Sequence, residues 1–260
     1  MTAKGTSQSL ERGLAVLAAF KSGRPSIGVN ELARSLNLNR STTHRYVATL
    51  AGLGYLHQDP TTKRYRLGPR VLDLGFAAIH SMDIREVAMP YLQALSDETG
   101  FTVNMAVLDG HEVVYIERCR TSRPGQRDID LNLHVGSRLP AYCTALGKAM
   151  LAFLPEDELK MALDGVELVR RGPNAITSKA ALRAELEHVR AAGLALNNEE
   201  LEYGLRSLAA PIRSRSGTVT AAINLAVHRS IVSMDVLVKR YGPPVQSTAG
   251  AISAHAARSD

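Results

Sequence analysis

The stretch LNLNRSTTHRYVATLAGLGYLHQDPTTKRYRLG, residues 36–68, decides the fold. It carries five Lys or Arg and two His against a single acid, Asp59. Thr43, Val47 and Leu50 recur at helical spacing, which predicts a helix opening near Asn39, a residue type whose side chain caps helix N-termini. Arg40, Ser41, Thr42, His44, Arg45 and Thr49 are then left on its outer side, a face made of hydroxyls and cations. After Gly54 the pattern alternates around the turn DPTT, residues 59–62, and predicts a two-stranded hairpin with Lys63, Arg64 and Arg66 on or beside it.

Two shorter helices are expected upstream. Leu10, Leu14, Leu17 and Phe20 form the apolar stripe of the first, ended by Gly23 and Pro25. Val29, Leu32, Ala33 and Leu36 form that of the second, and Asn37 supplies the turn that follows. Three helices and a basic hairpin make a winged helix-turn-helix. Hydroxyls at a helix start can donate to phosphate beside the free backbone N–H groups, while His44 and Arg45 can reach base edges in the major groove. The expected partner is double-stranded operator DNA. The competing reading is a solvated winged helix serving protein-protein contact in a small-molecule-binding sensory protein or an enzyme.

Charge separates the chain in the same way. Residues 1–70 hold 11 Lys and Arg against three acids, whereas the rest holds 20 against 22, within a total of +6 over 260 residues. A basic end joined to a near-neutral body is the footprint of a nucleic-acid reader attached to something else. No apolar run reaches the roughly 18 residues that a membrane span needs, and the N-terminal stretch lacks an apolar core with a cleavage site, so a cytoplasmic protein without membrane contact is expected. Cys119 and Cys143 are too few for a disulfide framework and read as two reduced thiols.

Downstream of the hairpin, Pro69 opens an unusually apolar helix with Val71, Leu72, Leu74 and Phe76. A homodimer contact through this connector would hold two reading heads at a fixed distance; folding onto the second domain is the alternative. The next helix, 83–100, has Pro90 inside and is expected to bend or break there. FTVNMAVLDGHEVVYIERC (101–119) reads as a hairpin turning at Asp109-Gly110, and GLRSLAAPIRSRSGTVTAAINLAV (204–227) as a second one turning at Ser216-Gly217. Helices fill 139–163 and 179–196, the latter closed by Gly193. A last helix runs from about Met234 to His255 with a Gly-Pro-Pro interruption at 242–244. Helix and sheet without strict βαβ alternation predict an α+β domain with an antiparallel sheet.

The winged helix, RLPAYCTALGKAMLA (138–152) and GLALNNEELEYGLRSLAAPIRSRSGTVTAAINLAV (193–227) resemble the IclR family of bacterial transcriptional regulators over nearly the whole chain. The resemblance implies a DNA-binding domain at 1–68, a linker helix at 69–82 and a GAF-like effector-binding and oligomerisation domain at 83–260. It also implies a homodimer or a dimer of dimers that answers to a small organic acid. Within the family the two motifs look most like the branch that controls aromatic-acid breakdown, with protocatechuate or 4-hydroxybenzoate as effector. The pocket implied lies between the sheet and the loop near Tyr142 and Thr144. Its lining would include Ala145, Leu146, Asn197, Ser207 and Asn224, with Glu199 as a hydrogen-bonding candidate. The family often has Asp where Asn197 stands, Cys where Ser207 stands, and Ser where Asn224 and Ala226 stand. A carboxylate needs donors, for which Arg138, Arg206 or the helix start near 142 are candidates. Arg118 and Arg206 fit internal ion pairs as well as they fit ligand contact.

Catalytic readings are weak. Cys143 has no His or acid at a catalytic spacing, Glu199-Glu200 are adjacent and cannot straddle a glycosidic bond, and the eight histidines lack metal spacing. Gly147-Lys148 has no surrounding Walker glycines. No enzyme activity, metal or cofactor is expected.

Overall fold

The structure is a computed structural model and describes residues 6–20, 24–120 and 133–259. Contacts divide the chain between Ser81 and Met82 into two compact units. Gly23, one of the residues expected to end the first helix, lies outside the described residues.

The first unit comprises α1 (Gln8–Ala18), α2 (Val29–Ser35), α3 (Arg40–Gly52), the hairpin β1 (Leu56–Gln58) and β2 (Tyr65–Leu67), and α4 (Arg70–His80). Asn39 caps α3, its Oδ1 accepting from the Thr42 N–H at 2.7 Å. In the hairpin turn Asp59 Oδ1 accepts from the N–H groups of Thr61 and Thr62. Val16, Ile27, Leu32, Val47, Leu56 and Tyr65 form the core, and Ile27 bridges to Tyr65 as a third extended segment. This is the winged helix-turn-helix expected. One detail differs: Leu10 and Leu14 are 63% and 57% exposed, and the α1 residue in the core is Val16. The apolar stripe of α1 is wider than its own small core can cover, and its Leu edge faces outward.

The second unit begins with α5 (Asp83–Thr99), which passes through Pro90 without a break. Burial of Ala88, Leu92 and Leu95 on both sides of Pro90 holds the helix despite the hydrogen bond that proline removes. Among the described residues six strands follow: β3 (Thr102–Asp109), β4 (Glu112–Cys119), β5 (Arg138–Pro140), β6 (Ala195–Asn198), β7 (Leu205–Arg213) and β8 (Val219–His228). They pair antiparallel in the order β5-β4-β3-β8-β7-β6. Each face is covered by helices. On one, α5 and α10 (Gly242–Ser259) pack Leu92, Leu95, Val245 and Ile252 against Met105, Ile212 and Ile223. On the other, α6 (Ala145–Leu151) and α8 (Lys179–Ala192) pack Leu146, Leu151, Leu182 and Leu186 against Ala106, Ala209 and Ala222. The helix α7 (Glu156–Leu163) lies between them in sequence. The Gly-Pro-Pro segment does not interrupt the last helical stretch. A short α9 (Met234–Val236) runs through a π turn, Leu237–Tyr241, into α10. Pro243 and Pro244 have no N–H for the preceding turn, which widens instead of ending.

Candidate functional site

On the first unit, Arg40, Ser41, His44, Arg45 and Thr49 are exposed along α3, and Thr42 is half-buried. Thr43 and Val47, at 0% exposure, anchor the opposite side of α3 in the core. The hydroxyls are already oriented, since Ser41 Oγ donates to Asn39 Oδ1 and Thr49 Oγ1 donates to the Arg45 carbonyl. A groove of about 490 Å³ runs between α2, the start of α3 and the wing, with Arg34, Arg40, His44 and Lys63 on its walls. Lys63 sits in the wing turn with a left-handed φ of 55°, and both Lys63 and Arg66 are exposed. Arg34 joins this set although its sequence position, on a helix read only for packing, gave no sign of it.

Arg64 is placed differently from its neighbours. Its guanidinium donates to Glu31 Oε1 at 2.7 Å and to the Ser26 carbonyl at 2.9 Å, with a further bond to Ser26 Oγ. These bonds fasten the wing to α2. The Arg64 guanidinium, then that of Arg24, holds the Glu31 carboxyl below its ordinary pKa.

In the second unit the residues of the two quoted motifs are engaged with one another. Thr144 caps α6 by accepting from the Gly147 N–H. Asn197 donates from Nδ2 to the Cys143 carbonyl at 2.9 Å and accepts at Oδ1 from the Glu200 N–H. Lys148, 1% exposed, ion-pairs with Glu200 at 2.7 Å and Glu185 at 3.0 Å. Tyr142 donates its hydroxyl to the Val169 carbonyl. Asn197 and Lys148 therefore tie the turn before α6, and α6 itself, to β6 and the loop after it.

Three further expectations meet a different geometry. Arg138, exposed on the edge strand β5, pairs with Asp109 and Glu112. Arg206 stands opposite Val227 on the α5/α10 face, where it donates to Asn198 Oδ1 and the Val232 carbonyl. Glu199, with φ 60°, accepts from the Gly204 N–H and pairs with Arg229. None of the three shares the inner face, the one under α6, that carries Ser207 and Asn224. The reason is the period of two along β7, which sends Arg206 and Ser207 to opposite faces.

The inner face instead gathers Asn104, Ser207 and Asn224, which are 1%, 3% and 5% exposed, among Ala106, Ala209 and Ala222 and under Ala145 and Leu146. Asn104 Nδ2 donates to Asn224 Oδ1 at 2.8 Å, and Arg118 Nη1 donates to Asn104 Oδ1 at 3.1 Å. Tyr115 lies on the same face, and burial pushes its hydroxyl pKa up to about 12. Asn104 was not singled out in the sequence; the signal was there as one amide in an apolar run, TVNMAV, at a position whose neighbours two away are buried. Among the described residues no cluster of His, Cys, Asp or Glu is arranged to hold a metal, and no helix is long and apolar enough to cross a membrane. Burial lifts the Cys143 thiol to about 11, which leaves almost no thiolate near neutrality.

Comparison with known proteins agrees with both units. The family models for the IclR helix-turn-helix domain and for the bacterial transcriptional regulator IclR C-terminal domain match residues 9–60 and 76–254. The Pca regulon regulatory protein of Pseudomonas putida is 37% identical over 235 residues, covering 90% of this chain and 79% of that protein. A transcriptional regulator from Rhodococcus sp. RHA1 superposes with a TM-score of 0.83 at 36% identity, over 98% of this chain and all of that one. An IclR homologue from Microbacterium hydrocarbonoxydans, solved with 4-hydroxybenzoate, does so with a TM-score of 0.82 at 25% identity, over 97% and 100% of the two chains. With both units matched and more than a third of its residues shared with a curated regulator, the chain belongs to the IclR family of bacterial transcriptional regulators.

Proposed function

We propose that this regulator is a homodimer that reads operator DNA through α3 and the wing and answers to a small aromatic acid, 4-hydroxybenzoate or protocatechuate, bound on the inner face of its second unit. The observation that carries the DNA reading is the α3 face itself: five exposed hydroxyl, imidazole and guanidinium groups on the side opposite Thr43 and Val47. Arg45 and His44 are assigned to base edges, Arg40, Lys63, Arg66 and Arg34 to phosphates, and Arg64 to holding the wing. The aromatic effector is supported by the Pca regulon relative and by the homologue solved with 4-hydroxybenzoate. It is also supported by a face that offers amides and a hydroxyl among alanines. The dimer is supported by exposed Leu72, Leu74 and Phe76 on α4 and Leu10 and Leu14 on α1. An apolar groove of about 680 Å³ lies between α1, α3 and Leu74. A second copy is the partner that such a surface suits.

The division of roles is tested with specific and random duplexes. Arg45→Ala is expected to lose about 1–3 kcal/mol on the specific site and little on random DNA. Lys63→Ala is expected to weaken both equally and to lower the salt slope by about 0.9 for each copy bound. Equal loss on both duplexes for Arg45→Ala would remove it from base reading.

A further inference from the structure

We propose that Glu31 is a positioning residue for DNA reading: it clamps Arg64 and Arg24 and so holds the wing in the place relative to α3 that a specific duplex requires, although its own charge opposes the phosphates. This rests on α3 and the wing reading DNA, and it adds the group that decides whether the wing cations meet the duplex in register.

The wing has little of its own to hold it. β1 and β2 pair over three residues each, and a two-stranded hairpin this short is marginal in water. Leu56 and Tyr65 are buried at its base, where Tyr65 also exchanges two backbone hydrogen bonds of 2.9 Å with Ile27. Beyond that base, the turn from Asp59 to Lys63 is exposed. The side chain that ties the strand leaving this turn to α2 is Arg64. Its Nε donates to Ser26 Oγ at 3.2 Å, its Nη1 to Glu31 Oε1 at 2.7 Å, and its Nη2 to the Ser26 carbonyl at 2.9 Å and Glu31 Oε2 at 3.2 Å. Four of the five N–H groups of the guanidinium are thereby engaged, which leaves little for a phosphate. Lys63 precedes it directly, with its carbonyl accepting from Gln58 Nε2, so a fixed Arg64 sets where the Lys63 side chain starts.

Glu31 completes the clamp from α2. Its Oε1 accepts from Arg64, and its Oε2 accepts from Arg64 and, at 2.8 Å, from Arg24. Paired bonds between a guanidinium and a carboxylate fix an angle as well as a distance. Glu31 is also the one acid among the described residues lining the groove, in the company of Arg34, Arg40 and Lys63. By charge alone such an acid weakens DNA binding, and its removal would tighten every duplex. A clamp has a different consequence. With Gln in place of Glu31 every cation remains, so a random duplex, which needs charge without register, keeps its affinity or gains. A specific duplex loses, because a loosened wing has to be ordered on binding.

The test compares full-length wild type, Glu31→Gln, Arg64→Gln and the double variant on a duplex that wild type selects from a random-sequence pool and on a shuffled duplex of the same composition. Glu31→Gln is expected to lower the ratio of the two affinities by roughly tenfold, through loss on the selected duplex. Arg64→Gln should lower the ratio about as much, and the double variant no more than either alone, since all three break one clamp. Hydrogen exchange reads the position of the wing without DNA: the Asp59 and Lys63 amides should exchange roughly tenfold faster in Glu31→Gln, while that of Val47 in the core of α3 is unchanged. Urea unfolding establishes that each variant is folded, and a pair this exposed should shift the midpoint little. Should Arg64→Gln fail to fold, the affinities and exchange of Glu31→Gln decide the matter. An unchanged ratio in Glu31→Gln, whether both duplexes tighten or both weaken, would overturn the clamp, as would losses that add in the double variant or wing amides that exchange as in wild type. In each of those cases a discriminating wild type leaves the DNA reading in place. A wild type that selects no duplex would remove that reading, and the clamp with it.

Discussion

Lys148 is a strongly charged side chain at 1% exposure, held by Glu200 and Glu185. A buried ammonium tolerates this only while its partners stay. Glu200→Ala is expected to destabilise the second unit by about 3–5 kcal/mol in urea unfolding, and Lys148→Met with Glu200→Leu by less, because the double change removes both charges together. Glu199 works in the other direction. The Gly204 N–H, and after it Arg229, hold its carboxyl below the usual value of 4.5. Its folded pKa is depressed, so its contribution is present above the ordinary carboxylate pKa and is lost as pH falls from there through the lowered one. Glu199→Gln should flatten the pH dependence of unfolding across that range, and an unchanged profile would show that the Gly204 and Arg229 contacts add nothing. Among the sequence-derived site residues, those on α3 were legible because helical spacing separates inside from outside. Arg64 was not, since its Glu31 partner lies 33 positions away and nothing local marks the pair.

At the scale of elements, α6 is seated on the 3-10 turn Ala141–Cys143 by the absence of a side chain at Gly147. A Cβ there would stand 2.1 Å from the Ala141 carbonyl oxygen and 2.3 Å from its Cα. Gly147→Ala should cost about 3 kcal/mol or prevent folding, whereas Gly75→Ala on α4, where nothing lies within 4 Å, should stabilise by about 0.5–1 kcal/mol through helix propensity. Thermal unfolding of the two variants makes the comparison. The sheet shows where pattern reading ran out. Tyr115 and Arg118 are three residues apart and would face opposite ways in a regular strand. The register shift opposite Met105/Ala106 leaves Ile116 unpaired and returns Arg118 to the side of Tyr115 and Asn104. Both hairpin turns could be read from Asp109-Gly110 and Ser216-Gly217, whose glycines have φ of 61° and 84°. A bulge inside an apolar run has no such marker. The outward Leu edge of α1 escaped for a related reason, because periodicity shows that a stripe exists without showing what covers it.

For the molecule as a whole, order and class of the two units were readable from the basic first quarter and from the change of period after residue 100, and the structure bears out the winged helix and the antiparallel α+β domain. The assembly is a matter of proposal, and it carries its own expectation. Phe76→Glu together with Leu74→Lys on α4 should shift sedimentation toward the monomer and weaken binding to a two-half-site operator far more than binding to a single half-site, since one reading head at a time then remains. An effector acts on such an assembly only through the difference in its affinity for the DNA-competent and incompetent states. The measurement that tests the account most directly is a titration of the full-length protein with the DNA upstream of its own gene, at two salt concentrations, with and without 4-hydroxybenzoate and protocatechuate. The account predicts tight binding that falls with salt at a slope of about −7, for the roughly eight phosphates that Arg34, Arg40, Lys63 and Arg66 of two copies would neutralise, and that one of the two acids changes. Binding that neither salt nor acid moves, or no binding to DNA at all, would contradict it.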